Sequence, residues 1–291
     1  MQLKEICKQT GLTKKAIEYY SEQGLISPKT LANGYRVFAP QDAVRLREIA
    51  VLRGLRLSVG EIKEVLEDDT GDALRRIAVA ARLRMERENT RQTLLDALGS
   101  GQSLEETAAA LKALERQESV LNRLLEVFPG YYGRFVCLHF APFLKEPVAT
   151  EEQEKAYEEI IAFLDGLPRL ELPEDLRRFV LECTAQISAG QIAEINDRSQ
   201  RSLEEPERFL EENREMLDWY LAFKRSEEYR SSPAYRLQNL FREFNRSSGY
   251  NDVFLPAMRR LSPSYNRYCE QLLAANEIFL SHYPEAKEIE M

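Results

Sequence analysis

Between Thr10 and Phe38 the chain is punctuated so densely that few folds accommodate it. Gly11 breaks one short helix, and Thr13 can cap the next by accepting a hydrogen bond from an orphan backbone N–H of its first turn. Gly24 can end that second helix in a left-handed cap, and Asn33-Gly34 supplies the two positive-φ residues that a tight hairpin requires. The spacing predicts two helices, over residues 3–9 and 13–23, followed by a β-hairpin wing. Neither helix is long enough to stand alone, so Leu3 and Ile6 on the first must pack against Ala16, Ile17 and Tyr20 on the second. Basic side chains fall where a helix-turn-helix meets phosphate: Lys14 and Lys15 in the first turn of the second helix, Lys29 beside the hairpin, and Arg36 on its return strand.

A net charge of −8 would argue against a nucleic-acid partner if it were spread evenly, and it is not. Residues 1–66 hold eleven basic side chains against seven acidic ones, a surplus of four, so the remainder carries a net charge of −12. A small basic head on an acidic body suits a protein whose head alone touches DNA. The four cysteines, Cys7, Cys137, Cys183 and Cys269, are scattered without a C-x-x-C pair, which fits a reducing compartment and neither a disulfide framework nor a zinc knuckle. The most apolar run, Phe135 to Leu144, is interrupted by His139 and Pro142 and falls short of the roughly 18 residues of a membrane span, so a cytoplasmic protein is expected.

Beyond the wing, Pro40 sits where a first helical residue belongs, and Val44, Leu46, Ile49 and Leu52 carry an apolar face to Gly54. Ser58-Val59-Gly60-Glu61 is a capping-box pattern that opens a fourth helix with Ile62, Val65 and Leu66 inward. After Thr70-Gly71-Asp72 comes a long polar helix to about Leu98, then Gly99-Ser100-Gly101, then a helix over residues 103–128. In the latter Leu111, Leu114, Leu121, Leu125 and Phe128 recur at spacings of three and four, with Glu118 at the missing step. The row suits a dimer seam or an ordinary intramolecular helical hairpin. From Phe128 onward 23 of the 27 aromatic residues accumulate, the helix-start signals are Thr150-x-x-Gln153, Pro173, Ser202-x-x-Glu205 and Ser262-Pro263, and no strand pattern of comparable length occurs. The expected fold is mainly α: residues 1–70 a winged helix-turn-helix, 71–127 a linker with dimerisation helices, and 128–291 an all-α body.

The T-G-L-T turn, the pair Tyr19-Tyr20, Gly24-Leu25 after the helix and Gly34-Tyr35-Arg36 in the wing together resemble the N-terminal DNA-binding domain of MerR-type transcription regulators. The resemblance covers about the first 70 residues. It implies a DNA contact set of Thr13, Lys14, Lys15, Glu18, Tyr19, Tyr20, Lys29, Asn33, Gly34, Tyr35 and Arg36. The family usually has an arginine just before the paired aromatics, where this chain has Glu18, a carboxylate that must either turn away from phosphate or accept a base amino group. The resemblance further implies double-stranded DNA and a second copy of the chain as partners, paired through a helix after the DNA-binding domain with Leu111, Leu114, Leu121 and Leu125 in the seam. It also implies indirect action on RNA polymerase, since such activators bend and untwist a promoter so that polymerase engages both of its elements.

For the body the expectation is a small-molecule effector. Tyr131, Tyr132, Phe135 and Phe140, with Trp219, Tyr220 and Phe223, could line a pocket, together with Phe128 and Phe143, although aromatic residues at helical spacing equally make core. His139 and His282 have no catalytic partner at motif spacing, and no P-loop or Rossmann glycine pattern occurs, so neither catalysis nor a cofactor is expected. Cys137 with His139 is short of the ligands a closed metal site needs, and no metal is assigned. The rival readings are an architectural DNA-binding protein without an effector and an enzyme with a DNA-binding head.

Overall fold

The structure, a computed structural model, describes residues 1–31 and 34–289, the side chain of Glu288 excepted. The chain is mainly α-helical with one two-stranded antiparallel hairpin, and it divides into two compact units, Met1–Ile77 and Ala78–Met291. The first unit thus runs past residue 70. Among the described residues no helix is long and apolar enough to cross a membrane.

In the first unit α1 (Leu3–Thr10) ends at Gly11, whose N–H donates to the Cys7 carbonyl and whose φ of 71° turns the chain out of the helix. Thr13 Oγ1 accepts from Ala16 N at 3.2 Å and starts α2 (Lys14–Glu22). Gly24, at φ 73°, turns the chain so that Leu25 N bonds back to the Tyr20 carbonyl. The wing follows as β1 (Lys29–Thr30) against β2 (Arg36–Val37), with Thr30 opposite Arg36 and Gly34 at φ 82°; Asn33, the other expected turn residue, lies outside the described residues. Phe38 N donates to the Met1 carbonyl while Met1 N donates to the Phe38 carbonyl, which ties the wing to the start of the chain.

Pro40 is indeed the first residue of α3 (Pro40–Gly54), and the Ser58–Glu61 capping box opens α4 (Val59–Glu67). Val44 was expected on the inner face of α3 and is exposed; Ala43, Leu46, Ile49 and Leu52 are the buried residues. The left-handed residue between α3 and α4 is Arg56, at φ 66°. Ile6, Ile17, Tyr20, Phe38, Ile49 and Ile62 form the core of this unit.

The second unit is built on α6 (Leu104–Val127), which follows α5 (Asp72–Gly99). The seam expected on α6 needs correction. Leu114, Leu121 and Leu125 are buried within their own chain, because α6 packs on α7 (Gly130–Phe140) and α8 (Glu151–Gly166); of the four seam residues only Leu111 is exposed. Glu118, the polar step in that row, accepts a 2.6 Å hydrogen bond from the buried Arg87 of α5. Arg116 likewise pairs with Glu154 of α8, and Gln117 Nε2 donates to the Ala141 carbonyl at 2.7 Å, at the entrance to a 3-10 turn, Ala141–Leu144. Arg116, Gln117 and Glu118 thus each have an intramolecular partner.

The remaining helices are α9 (Glu174–Thr184), α10 (Ala189–Ser202), α11 (Pro206–Glu212), α12 (Arg214–Arg225), α13 (Glu227–Arg230), α14 (Pro233–Ser248), α15 (Leu255–Leu261) and α16 (Pro263–His282), with a π-turn at Tyr250–Phe254. Ser202 ends α10 where a helix start was expected; the start falls four residues on, at Pro206, whose missing N–H costs nothing in a first turn. Leu121, Leu124, Phe128, Ile160, Phe254 and Met258 lie in the main core, and a smaller cluster joins Leu210 and Leu221 to Tyr283 and Ala286.

Candidate nucleic-acid interface and aromatic cavity

On the first unit Thr13, Lys14, Lys15 and Tyr19 lie exposed along α2, and Lys29, Gly34, Tyr35 and Arg36 lie exposed on the wing. Two side chains of the expected contact set behave otherwise. Tyr20 is only 7% exposed and packs in the core, with Tyr19 against it at 5.8 Å between ring centroids, so its ring supports the helix and does not face a groove. Glu18 lies 3.7 Å from Lys14 one turn away, so the carboxylate turns along its own helix and partly cancels that charge. Among the described residues Lys15, Lys29 and Arg36 have no ion pair, which leaves three cations on α2 and the wing for an external anion.

A capped helix after a glycine turn, a wing tied to the chain start and unpaired cations on both form the geometry of a winged helix-turn-helix. The family model described as MerR HTH family regulatory protein matches residues 1–69. Residues 1–69 are a MerR-family helix-turn-helix domain. The MerR-type domain is similar to the HTH-type transcriptional regulator HmrR of Rhizobium leguminosarum bv. viciae, 41% identical over 66 residues, which are 23% of this chain and 51% of that protein. It is similar to CueR of Escherichia coli O157:H7, 42% identical over 57 residues, 19% of this chain and 40% of that protein. The match to SkgA of Caulobacter vibrioides (strain NA1000 / CB15N) is 32% identical over 87 residues, 30% of this chain and 32% of that protein. The chain thus spans between a third and a half of the length of these curated relatives. No solved structure matches the chain.

Outside the MerR-type domain, the second unit holds a cavity of about 470 Å³. It lies where α7, α10 and α16 converge, and of the expected pocket residues it collects Tyr132, Phe135, Phe140 and Phe143. Tyr131 does not line it and packs near Phe135 with the Arg134 guanidinium 6.0 Å from its ring. Trp219, Tyr220 and Phe223 do not line it either: they lie on α12, where Trp219 is 65% exposed and stacked on Phe223 at 5.4 Å, and Lys224 stands 5.5 Å over Tyr220. A single pocket uniting both aromatic groups is therefore corrected to one cavity and one surface stack. Phe128 fills the core behind it, edge-on to Tyr132 at 5.3 Å.

The sequence reading missed the wall opposite α7. Tyr250, Tyr265 and Tyr268 face the cavity, the last two at helical spacing on α16, which is the one local signal that could have found them. His139 is a cavity residue boxed by rings, with Phe140 at 4.9 Å, Tyr268 at 5.4 Å and Phe143 at 5.7 Å. Burial among these rings pushes its pKa down to about 4, so the imidazole is neutral, and burial pushes the Tyr132 phenol up to about 12. Tyr250, Tyr265 and Tyr268 are raised by burial as well, so all four phenols stay protonated donors near neutral pH.

Proposed function

We propose that the chain is a DNA-binding transcription regulator that docks its MerR-type domain on double-stranded DNA as a homodimer and responds to a small molecule held in the cavity of the second unit. The observation that carries the DNA-binding reading is the trio Lys15, Lys29 and Arg36, exposed and without internal ion pairs on α2 and the wing of a MerR-type domain. The body's cavity favours a sensor over a purely architectural protein, because its volume lies in the range of small-molecule sites.

Replacing Lys15 or Arg36 by alanine is expected to weaken operator binding about tenfold each and to lower the salt slope by about one phosphate contact. Lys14→Ala is expected to cost less, since Glu18 already occupies that ammonium, and Glu18→Gln to strengthen binding several-fold. Titrations across a range of salt concentrations read all four. An unchanged slope in a helical Lys15→Ala protein contradicts the placement of α2 at the phosphates.

Pairing of two copies falls to the exposed apolar side chains of the α5–α6 hairpin, Leu95 and Leu104. Leu104→Asp, with Leu104 76% exposed, is expected to give folded monomers by light scattering and to lower operator affinity about a hundredfold through lost bivalency. A dimer that survives Leu95→Asp and Leu104→Asp together places the interface elsewhere.

A further inference from the structure

The charge around the cavity is balanced and peripheral. Four ionisable side chains of fixed charge border it: Arg82, Lys145 and Asp197 are exposed, while Glu86 is half-buried. Glu86 is already engaged by Arg82 at 3.2 Å and by Lys145 at 3.9 Å. Deeper in, the lining is carried by neutral rings, with His139 among them. A cation drawn there would lose water and find ring faces but no free buried carboxylate, and an anion would find no free buried cation, so neither would meet a counter-charge within the lining.

One polar group inside this lining is unmatched. Asn196 of α10 borders the cavity, and its Nδ2 is buried with no hydrogen-bond partner. A buried amide donor left unpaired costs free energy that a ligand acceptor would recover. We propose that the cavity takes an uncharged planar aromatic molecule whose hydrogen-bond acceptor, a carbonyl oxygen or ring nitrogen, is held by the amide of Asn196. The rings around His139 supply stacking and edge contacts, and Asn196 fixes which edge of the ligand faces α10. The proposal rests on the reading of the second unit as a sensing domain.

Three tricyclic probes of nearly one shape test it on the full chain: acridone, which is neutral and carries a carbonyl, N-methylacridinium, and anthracene-9-carboxylate. Fluorescence titration is expected to give acridone a Kd at least tenfold below those of both charged probes. Asn196→Leu should cost acridone about tenfold in affinity with helicity unchanged, and Asn196→Asp should move the preference toward N-methylacridinium. Equal or tighter binding of the cation by the unaltered protein overturns the proposed ligand class and leaves the sensing reading in place. Acridone binding that is indifferent to both Asn196 variants removes the role of that amide. Binding of none of the three overturns class and sensing together, whereas acridone that binds without changing operator affinity keeps the class and removes the sensing reading.

Discussion

Gly133→Ala is expected to cost the second unit at least about 3 kcal/mol, at or beyond the upper end of what overpacking usually does. Gly133 lies in α7, just after the chain has turned out of α6 through Phe128, Pro129 and Gly130. A Cβ added there would run into the carbonyl oxygen of Phe128 and sit 2.9 Å from its carbonyl carbon. Both are backbone atoms, so no rotamer change relieves the contact, and either α7 or the end of α6 must move. Phe128 is one of the most deeply buried rings of this unit, edge-on to Tyr132, Phe244 and Tyr250, so moving it disturbs three further contacts. Gly99→Ala is the control: nothing stands within 4 Å of the added carbon, the residue is helical, and stability should hold or rise by up to about 1 kcal/mol. Denaturant melts followed by helicity decide it, and a Gly133→Ala protein within 1 kcal/mol of the parent would show that the α6–α7 turn is far more compliant than its geometry implies.

The second large effect is a loss of stability in mild acid that belongs to one histidine. Burial holds His139 at a pKa of about 4 in the folded chain, against an ordinary value of 6.5. The unfolded chain therefore binds a proton that the folded chain refuses between those values. His139 costs little above pH 6.5 and destabilises progressively as pH falls toward 4, by roughly 2 to 3 kcal/mol at pH 4.5. The charged groups bordering the same cavity, Arg82, Glu86, Lys145 and Asp197, are mostly exposed, and the hydrogen-bonded Asp68, Asp165 and Asp175 have depressed values, so their contribution is lost at still lower pH. His139→Phe keeps the ring box apolar and should flatten the difference in stability between pH 7 and pH 4.5 by that amount. Equal acid sensitivity in the two proteins would mean that the imidazole is better hydrated than its surrounding rings allow.

The helix-turn-helix was legible because its punctuation is local. Gly11, Thr13, Gly24, Pro40 and Ser58 each act locally, through a cap, a positive φ or, for Pro40, a first-turn position that needs no N–H, and each does so in the structure. The role of α6 was harder, since leucines at three- and four-residue spacing face any apolar partner equally well, whether another chain or helices of the same one. Glu118 held the distinguishing information, but only once its partner Arg87, 31 residues earlier, is known. The cavity lay further out of reach. Its walls come from Tyr132, Asn196 and Tyr268, which no local period connects, and the surface stack of Trp219 on Phe223 has the same composition as a lining without being one.

The pairing of Lys14 with Glu18 has a consequence for search as well as for affinity. Attraction to arbitrary duplex depends on how many phosphates a protein neutralises, and a chromosome offers vastly more arbitrary sequence than operator. On the proposed function, a head that cancels one of its own cations spends less time trapped on random DNA and gives up part of its hold on the operator as well. In that reading the acidic residue at this position trades grip for turnover.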